Sequence, residues 1–137
     1  TTEMAQGFLG AGVKSVKYLG ENKVALFKLT YHNGLILILQ LHAPHHEWSF
    51  SIYTATGMHS TTVDSSKLYP PFLDRFLKVV RGEMEFSLSD ALEAVAVHIA
   101  AWKSKQSGAE VYLDELSADD GFDGAASAAS YALAKKK

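Results

Sequence analysis

The sequence predicts an α+β fold: an open-faced, mainly antiparallel sheet of about five or six strands, with two helices on one face and the other face available for dimerisation. Up to about residue 63, short runs of alternating apolar and polar side chains are separated by turn residues, which is typical of antiparallel strands. From Tyr69 onward the apolar residues recur at helical spacing instead. The 137 residues, 47% of them hydrophobic, are enough for one domain with its own core.

Composition and charge narrow the class of partner. The formal net charge of −2 gives no electrostatic reason to expect nucleic acid or an anionic membrane. No apolar run approaches the roughly 18 residues that a membrane-spanning helix needs, so we expect no membrane partner. The absence of cysteine excludes disulfides and is compatible with a reducing compartment. A cytoplasmic location is therefore the expectation.

The first glycine-rich stretch, residues 7–12, reads GFLGAG and looks superficially like a nucleotide-binding loop. That fingerprint requires a strand before the loop and a helix after it. Residues 13–19, which follow, alternate like a strand. We interpret residues 1–12 as a loop that leads into an edge strand.

Residues 24–42 form the clearest element, because two apolar runs flank His32-Asn33-Gly34 and predict a β-hairpin. A three-residue loop with Gly34 in the left-handed conformation separates the faces better than a two-residue loop. One face, expected in the core, then holds Phe27, Leu29, Tyr31, Leu35, Leu37, Leu39 and Leu41. The second face holds Leu26, Lys28, Thr30, Ile36, Ile38, Gln40 and His42.

The remaining strands complete a meander. Residues 43–47 contain Pro44 and are expected to form a loop. Residues 48–54 alternate between an apolar side and a side with Ser49, Ser51 and Tyr53, and residues 59–63 form a short polar strand. Residues 109–113 are expected to return to the sheet as a last strand.

Two amphipathic helices are predicted after the strands. Pro70 and Pro71 fit the start of the first, which runs to about Arg81. A capping-box-like Ser87 begins the second, which runs to about Gln106. Both apolar stripes are expected to face the core: Phe72, Leu73, Phe76, Leu77, Val79 and Val80 on the first helix, and Leu92, Val95, Ile99 and Trp102 on the second. The folded domain is predicted over residues 1–116, followed by a low-complexity, flexible tail or marginal helix over residues 117–137.

Several short motifs occur in a familiar order and spacing across residues 9–116. They are Tyr31-His32-Asn33-Gly34, Tyr69-x-x-x-Leu73-x-x-Phe76, Ser89-Asp90-Ala91-Leu92 and Ser104-x-x-x-Gly108. In this arrangement the chain resembles the C-terminal half of the Gfo/Idh/MocA oxidoreductases, the family of glucose–fructose oxidoreductase and inositol dehydrogenase. None of these motifs is catalytic in that family, so the resemblance concerns the scaffold.

The resemblance implies the substrate-binding and oligomerisation domain of an NAD(P)-dependent oxidoreductase that acts on a sugar, a polyol or a related hydroxyl compound. In that family a separate Rossmann domain binds NAD(P), and the open sheet face closes part of the substrate pocket and packs against other subunits. The family's cofactor fingerprint, Glu-Lys-Pro segment and catalytic Lys and His match no position here. The chain is then a domain cut from such an enzyme or a truncated relative, and by itself is not expected to transfer hydride.

Other chemistry is less well supported by the sequence. His42, His45, His46 and Glu47 are suitable metal ligands, but adjacent side chains in an extended chain point apart, so we expect a polar loop there rather than a metal site. No Gly-x-Ser-x-Gly occurs and no spacing selects a Ser–His pair, so no catalytic residue is assigned. Basic residues Arg75, Lys78 and Arg81 are expected on the solvated face of the first helix.

The candidate functional residues lie instead on the second face and on the strand after it. They are expected to face either a substrate or a dimer partner, and they are Lys28, Thr30, Ile36, Ile38, Gln40, His42, Ser49, Ser51 and Tyr53. A homodimer or higher homo-oligomer is expected, because an exposed patch of this kind is rare on monomers. The alternative function is a stand-alone, non-catalytic module that dimerises or binds a small ligand.

Overall fold

The structure, a computed structural model, describes residues 2–42, 48–121, 123, 124 and 128. Three helices and six strands occur in them, and single turns of 3-10 helix lie at Ser65–Lys67, Leu113–Glu115 and Ala118–Asp120. The helices are α1 (Thr2–Leu9), α2 (Tyr69–Val80) and α3 (Leu88–Ser107). The strands are β1 (Val13–Glu21), β2 (Val24–Tyr31), β3 (Ile36–His42), β4 (Trp48–Thr54), β5 (Gly57–Val63) and β6 (Glu110–Tyr112).

The predicted α+β class is confirmed, with all strand pairs antiparallel. The strands are divided between a four-stranded sheet in the order β3-β2-β1-β6 and a two-stranded sheet of β4 and β5. The meander therefore stops at β3, which lies at the edge of the larger sheet. In contrast to the sequence expectation, β1 is not an edge strand, because β6 pairs with it at Ser15 and Val16.

The hairpin between β2 and β3 has the predicted register. Leu29 pairs with Leu37, and Lys28 pairs with Ile38. Gly34 has a φ of 87°, and its amide donates to the Tyr31 carbonyl at 3.0 Å, as the three-residue loop requires. On the predicted core face, Phe27, Leu29 and Tyr31 are buried. The prediction is wrong for Leu35 and Leu41, which are 45% and 44% exposed, because β3 is the edge strand and lies beyond the part of the sheet that α3 covers.

The core forms where α3 lies on the sheet. Val16, Leu29, Val97 and Ala100 are almost completely buried there. The buried side of α3 consists of small or medium residues, namely Ala94, Val97, Ala100 and Ser104. Small side chains let the helix approach the sheet closely, so the burial per residue is high although the side chains are short.

The prediction for the core stripe of α3 is wrong. Leu92 is 58% exposed and Trp102 is 63% exposed, so the large apolar side faces away from the sheet. The physical reason is a polar anchor on the opposite side of the helix. The Ser104 hydroxyl accepts from the Tyr18 amide at 2.7 Å and donates to the Ala109 carbonyl at 2.5 Å. Those two bonds orient α3 with its small residues toward β1.

The prediction that the apolar side of α2 faces the core is also wrong, since α2 contains no buried residue. The second helix on the core side, beside α3, is instead α1. It lies in a segment that was predicted to be a loop. Gln6 Nε2 donates to the Asp90 carbonyl at 3.0 Å, and the Thr2 hydroxyl lies 3.3 Å from His98 Nε2. These contacts with α3 stabilise a helix that contains Gly7, a residue that disfavours helices.

The beginning of the predicted tail is attached to the domain. Asp120 lies 2.5 Å from the ammonium of Lys103 and accepts from the Ser117 amide at 2.8 Å. Most positions after 121 lie outside the described residues, so the character of the tail there stays a prediction.

Candidate functional site

A cleft of about 720 Å³ lies between β3 and β4, the facing strands of the two sheets. Helix α1 contributes a further wall through Met4 and Phe8. The rings of Phe8 and Phe50 have centroids 4.4 Å apart, so an aromatic contact holds α1 against β4. The cleft therefore joins three elements that are distant in sequence.

Most of the candidate residues meet in this cleft. The ones that line it are Ile36, Ile38, Gln40, His42, Ser49, Ser51 and Tyr53. Lys28 and Thr30 do not line it, because they lie on β2, one strand further from the edge. The structure thus separates the predicted set into a cleft group and a pair on the second face.

The position of β3 at the sheet edge explains why the cleft receives side chains from both faces of that strand. Ile38 and Gln40 lie on one face of β3, and Leu37 and Leu39 lie on the opposite face. In an edge strand, every second residue also directs its backbone N–H and C=O away from the sheet. β3 can therefore offer main-chain donors and acceptors together with its side chains.

Eleven of the described lining residues were not recognised as functional from the sequence, among them Met4, Phe8 and Trp48. For Trp48 the signal was the alternation of its strand, which places this side chain on the apolar side. Met4 and Phe8 belong to α1, whose helix depends on contacts with α3 and has no strong local signal. Their contribution could only be found in three dimensions.

The described lining of the cleft contains no Asp, Glu, Lys or Arg. It combines apolar walls with an amide, an imidazole and several hydroxyls. Tyr53 is 79% exposed, and the Ser51 hydroxyl lies 2.7 Å from that of Ser60. An apolar site with a few polar groups suits a small ligand. The described lining thus offers hydrogen-bonding groups and apolar surface together.

The glycine-rich stretch does not fit the pyrophosphate of a dinucleotide. The stretch begins within the last turn of α1, and β1 follows it, which is the reverse of the strand–loop–helix order of such sites. The Gly12 amide already donates to both carboxylate oxygens of Glu93, at 2.8 and 3.0 Å. A phosphate there would have to displace this carboxylate or meet its negative charge.

The possible metal ligands His45, His46 and Glu47 lie outside the described residues. Within the described ranges, no group of three or more His, Asp or Glu could hold a metal ion. The basic residues of α2 are exposed, and the Lys78 ammonium lies 2.7 Å from Asp74 on the same helix. This agrees with a solvated face.

The groups whose pKa is shifted lie at contacts between a helix and the sheet or within loops. The Lys105 ammonium, 2.6 Å from Glu21, lowers the pKa of that carboxyl, and the same contact raises the pKa of Lys105. Burial, and then the charge of Glu93, raises the pKa of Tyr31. The Lys105–Glu21 pair links the end of α3 to the end of β1.

Comparison of the chain with protein-family models, with curated proteins and with solved structures finds no match. Among the described helices, none combines the length and the apolar character that crossing a membrane would require.

Proposed function

We propose that this chain is the substrate-binding and oligomerisation domain of an NAD(P)-dependent oxidoreductase, and that a sugar, polyol or related hydroxyl compound occupies the cleft between β3 and β4. The observation that carries the proposal is the convergence of the polar candidates on a partly apolar cleft whose described lining contains no Asp, Glu, Lys or Arg. The reaction class comes from the resemblance of the scaffold motifs to the Gfo/Idh/MocA family. NAD(P) would bind to another domain of the complete enzyme.

In this proposal the chain binds and orients the substrate. Gln40 supplies two amide donors and one carbonyl acceptor, and His42 supplies a donor and an acceptor in its neutral form. Trp48 and Tyr53 offer flat apolar surfaces with a polar edge, which suit the alternating hydroxyl and C–H surfaces of a polyol. The hydride donor or acceptor is the nicotinamide of NAD(P), which this chain does not hold.

A calorimetric titration tests the cleft. The probes are myo-inositol and D-glucose, with D-glucuronate as a charged comparison. We expect the uncharged probes to bind more tightly than glucuronate, since the described lining has no cation for its carboxylate. Gln40→Ala, His42→Ala and Tyr53→Phe should each raise the Kd by about tenfold, the equivalent of one hydrogen bond of about 1.4 kcal/mol.

Lys28→Ala is the matched control for that titration, because Lys28 belongs to the same candidate set but lies outside the cleft. Its Kd should stay within about twofold of the unsubstituted chain. Unchanged affinity in all three cleft variants, or equal loss in Lys28→Ala, would remove the cleft as the binding site.

Oligomerisation through the open sheet face is the second part of the proposal. Ile36 is 61% exposed and Ile38 is 44% exposed on the second face, where both also line the cleft. Burying such residues against a partner is favourable by roughly 25 cal/mol per Å² of apolar area. Sedimentation at micromolar concentration should show association that Ile38→Lys weakens more than Arg75→Gln does. A purely monomeric chain would contradict this part.

The alternative function is a stand-alone, non-catalytic dimerising or ligand-binding module. The same exposed apolar residues favour it, because they explain association without any reaction. The coding sequence upstream of Thr1 distinguishes the two. An in-frame glycine-rich strand–turn–helix followed by a Glu-Lys-Pro segment supports the oxidoreductase, whereas a start codon directly before Thr1 supports the module.

A further inference from the structure

Helix α3 has two apolar sides that lie opposite each other. Ala94, Val97, Ala100 and Ser104 face the sheet. The residues about 180° away around the helix are Leu88, Leu92, Val95, Ile99 and Trp102, called here the outer stripe. Four of these five are more than half exposed, with Trp102 at 63%. A helix that is apolar on both sides is expected to be covered on both sides.

Helix α2 carries a second uncovered stripe, consisting of Tyr69, Phe72, Phe76 and Val80 and called here the α2 stripe. Phe72 is 61% exposed and Phe76 is 53% exposed. The helix itself is well terminated, because Gly82, with a φ of 72°, donates its amide to the Val79 carbonyl at 3.0 Å. α2 is thus a defined amphipathic helix that leaves its apolar side uncovered in this chain.

The two stripes match each other in spacing when the helices run antiparallel. From Tyr69 to Val80, successive residues of the α2 stripe are three, four and four positions apart. From Trp102 back to Leu92, successive residues of the outer stripe are three, four and three positions apart. This places Tyr69 beside Trp102, Phe72 beside Ile99, and Phe76 beside Val95. At 1.5 Å per residue both stripes cover about 16 to 21 Å, so their lengths also agree.

We propose that α2 of one chain packs antiparallel on the outer stripe of α3 in a second copy, and that the second copy returns the same contact. Both stripes stay exposed in the structure, and because each matches the other, a second copy of the chain supplies the missing surface for both. Eight side chains of the two stripes are more than half exposed. If each contributes about 100 Å², the reciprocal contact buries on the order of 1,600 Å², the size of a standard stable interface. The contact is self-complementary, as a twofold dimer requires.

Disulfide cross-linking tests the pairing directly, because the chain contains no cysteine. A chain with Phe76→Cys is mixed with a separate chain with Val95→Cys and oxidised mildly. We expect a covalent link between the two differently substituted chains to form at least tenfold faster than in a mixture with Lys78→Cys in place of Phe76→Cys. Lys78 is the control because it lies about 180° from the α2 stripe on the same helix.

Two results would overturn the proposal. One is an equal cross-linking rate for Phe76→Cys and Lys78→Cys. The other is a link that forms only inside a chain that carries both Phe76→Cys and Val95→Cys, which would mean that α2 folds back onto its own α3. Both variants alter exposed side chains, so neither should prevent folding.

Sedimentation separates this interface from the open sheet face, on which the helix proposal does not depend. Leu92→Lys and Phe76→Lys should each raise the dissociation constant of the helix interface by at least 100-fold. If both interfaces form, the unsubstituted chain is a tetramer, and either Leu92→Lys or Ile38→Lys leaves a dimer. Dissociation by Ile38→Lys alone, with Leu92→Lys and Phe76→Lys unchanged, would overturn the helix interface and keep the sheet interface.

Discussion

Individual polar side chains decide how the helices of this protein sit on the sheet. Ser104, completely buried, bonds to both Tyr18 and Ala109 and so connects α3, β1 and the turn before β6. Gly108 ends α3 with a φ of 68°, and its amide donates to the Ser104 carbonyl at 2.8 Å. The Ser104-x-x-x-Gly108 motif of the sequence therefore has a structural role here.

Ser104→Ala tests this anchor. The variant leaves the Tyr18 amide and the Ala109 carbonyl without this partner at a part-buried position, which costs about 1–3 kcal/mol. We expect a corresponding fall in the free energy of unfolding, measured by urea denaturation. Ser107→Ala is the control: Ser107 is exposed and water can replace its bonds, so the change should stay within about 0.5 kcal/mol. Equal losses would contradict the anchor.

Tyr31 is the buried residue with the clearest pH dependence. Its hydroxyl is buried and meets no hydrogen-bond partner among the described residues. Burial, followed by the charge of Glu93, raises its pKa above the ordinary value. The folded state therefore keeps the proton to higher pH than the unfolded state does, so its contribution to stability is complete below about pH 10 and decreases as the pH rises above that value.

Tyr31→Phe should accordingly leave stability at pH 7 unchanged or raise it, because it removes a buried hydroxyl that makes no bond. It should also reduce the loss of stability between about pH 9 and 11. The measurement is urea unfolding across that range, with the exposed Tyr53→Phe as the control. An unchanged alkaline slope, or destabilisation at pH 7, would show that the Tyr31 hydroxyl has a partner.

At the scale of elements, the β2–β3 hairpin was predictable in detail. One register places Phe27, Leu29 and Tyr31 beside the leucines of the next strand and so separates the apolar face from the mixed face. Gly34 supplies the turn that this register needs. Both signals are local, which is why the sequence was sufficient.

Gly34→Ala tests the turn, because alanine in this left-handed position costs about 1–2 kcal/mol. Gly7→Ala in α1 is the matched control, for which we expect a change in stability of the opposite sign. Gly7 has no positive φ, and an added Cβ there meets nothing within 4 Å. It should stabilise the protein by roughly 0.5–1 kcal/mol. Thermal unfolding of both variants measures the pair, and a loss in Gly7→Ala would contradict the helix there.

The helices show what the sequence could not resolve. Two apolar sides of α3 compete for the sheet, and periodicity gives more weight to the larger side chains of Leu92, Val95 and Trp102. The smaller side is buried because Ser104 bonds to the sheet there. For α2 the sequence predicted the helix and both of its ends correctly but not its surroundings, since an amphipathic pattern does not specify which surface covers it.

At the scale of the whole molecule, stability is unevenly distributed. β1, β2 and α3 contain nearly all the buried residues, whereas β5 and α2 contain none. Hydrogen exchange should therefore be slow for β1 and β2 amides and faster for β5 and α2 amides. Raising the protein concentration should slow exchange in α2 if the helix interface forms, and leave β1 unchanged. Uniform protection at all concentrations would contradict both expectations.

The sequence by itself determined the α+β class, the hairpin register, and the ends of α2 and α3. Each of these depends on residues that are close in the chain. Only the tertiary structure decided the division into two sheets, the helix character of residues 2–9, the orientation of α3 and the exposure of α2. These depend on competition between surfaces of similar apolar character, and contacts between distant residues, such as those of Ser104 and Gln6, settle that competition.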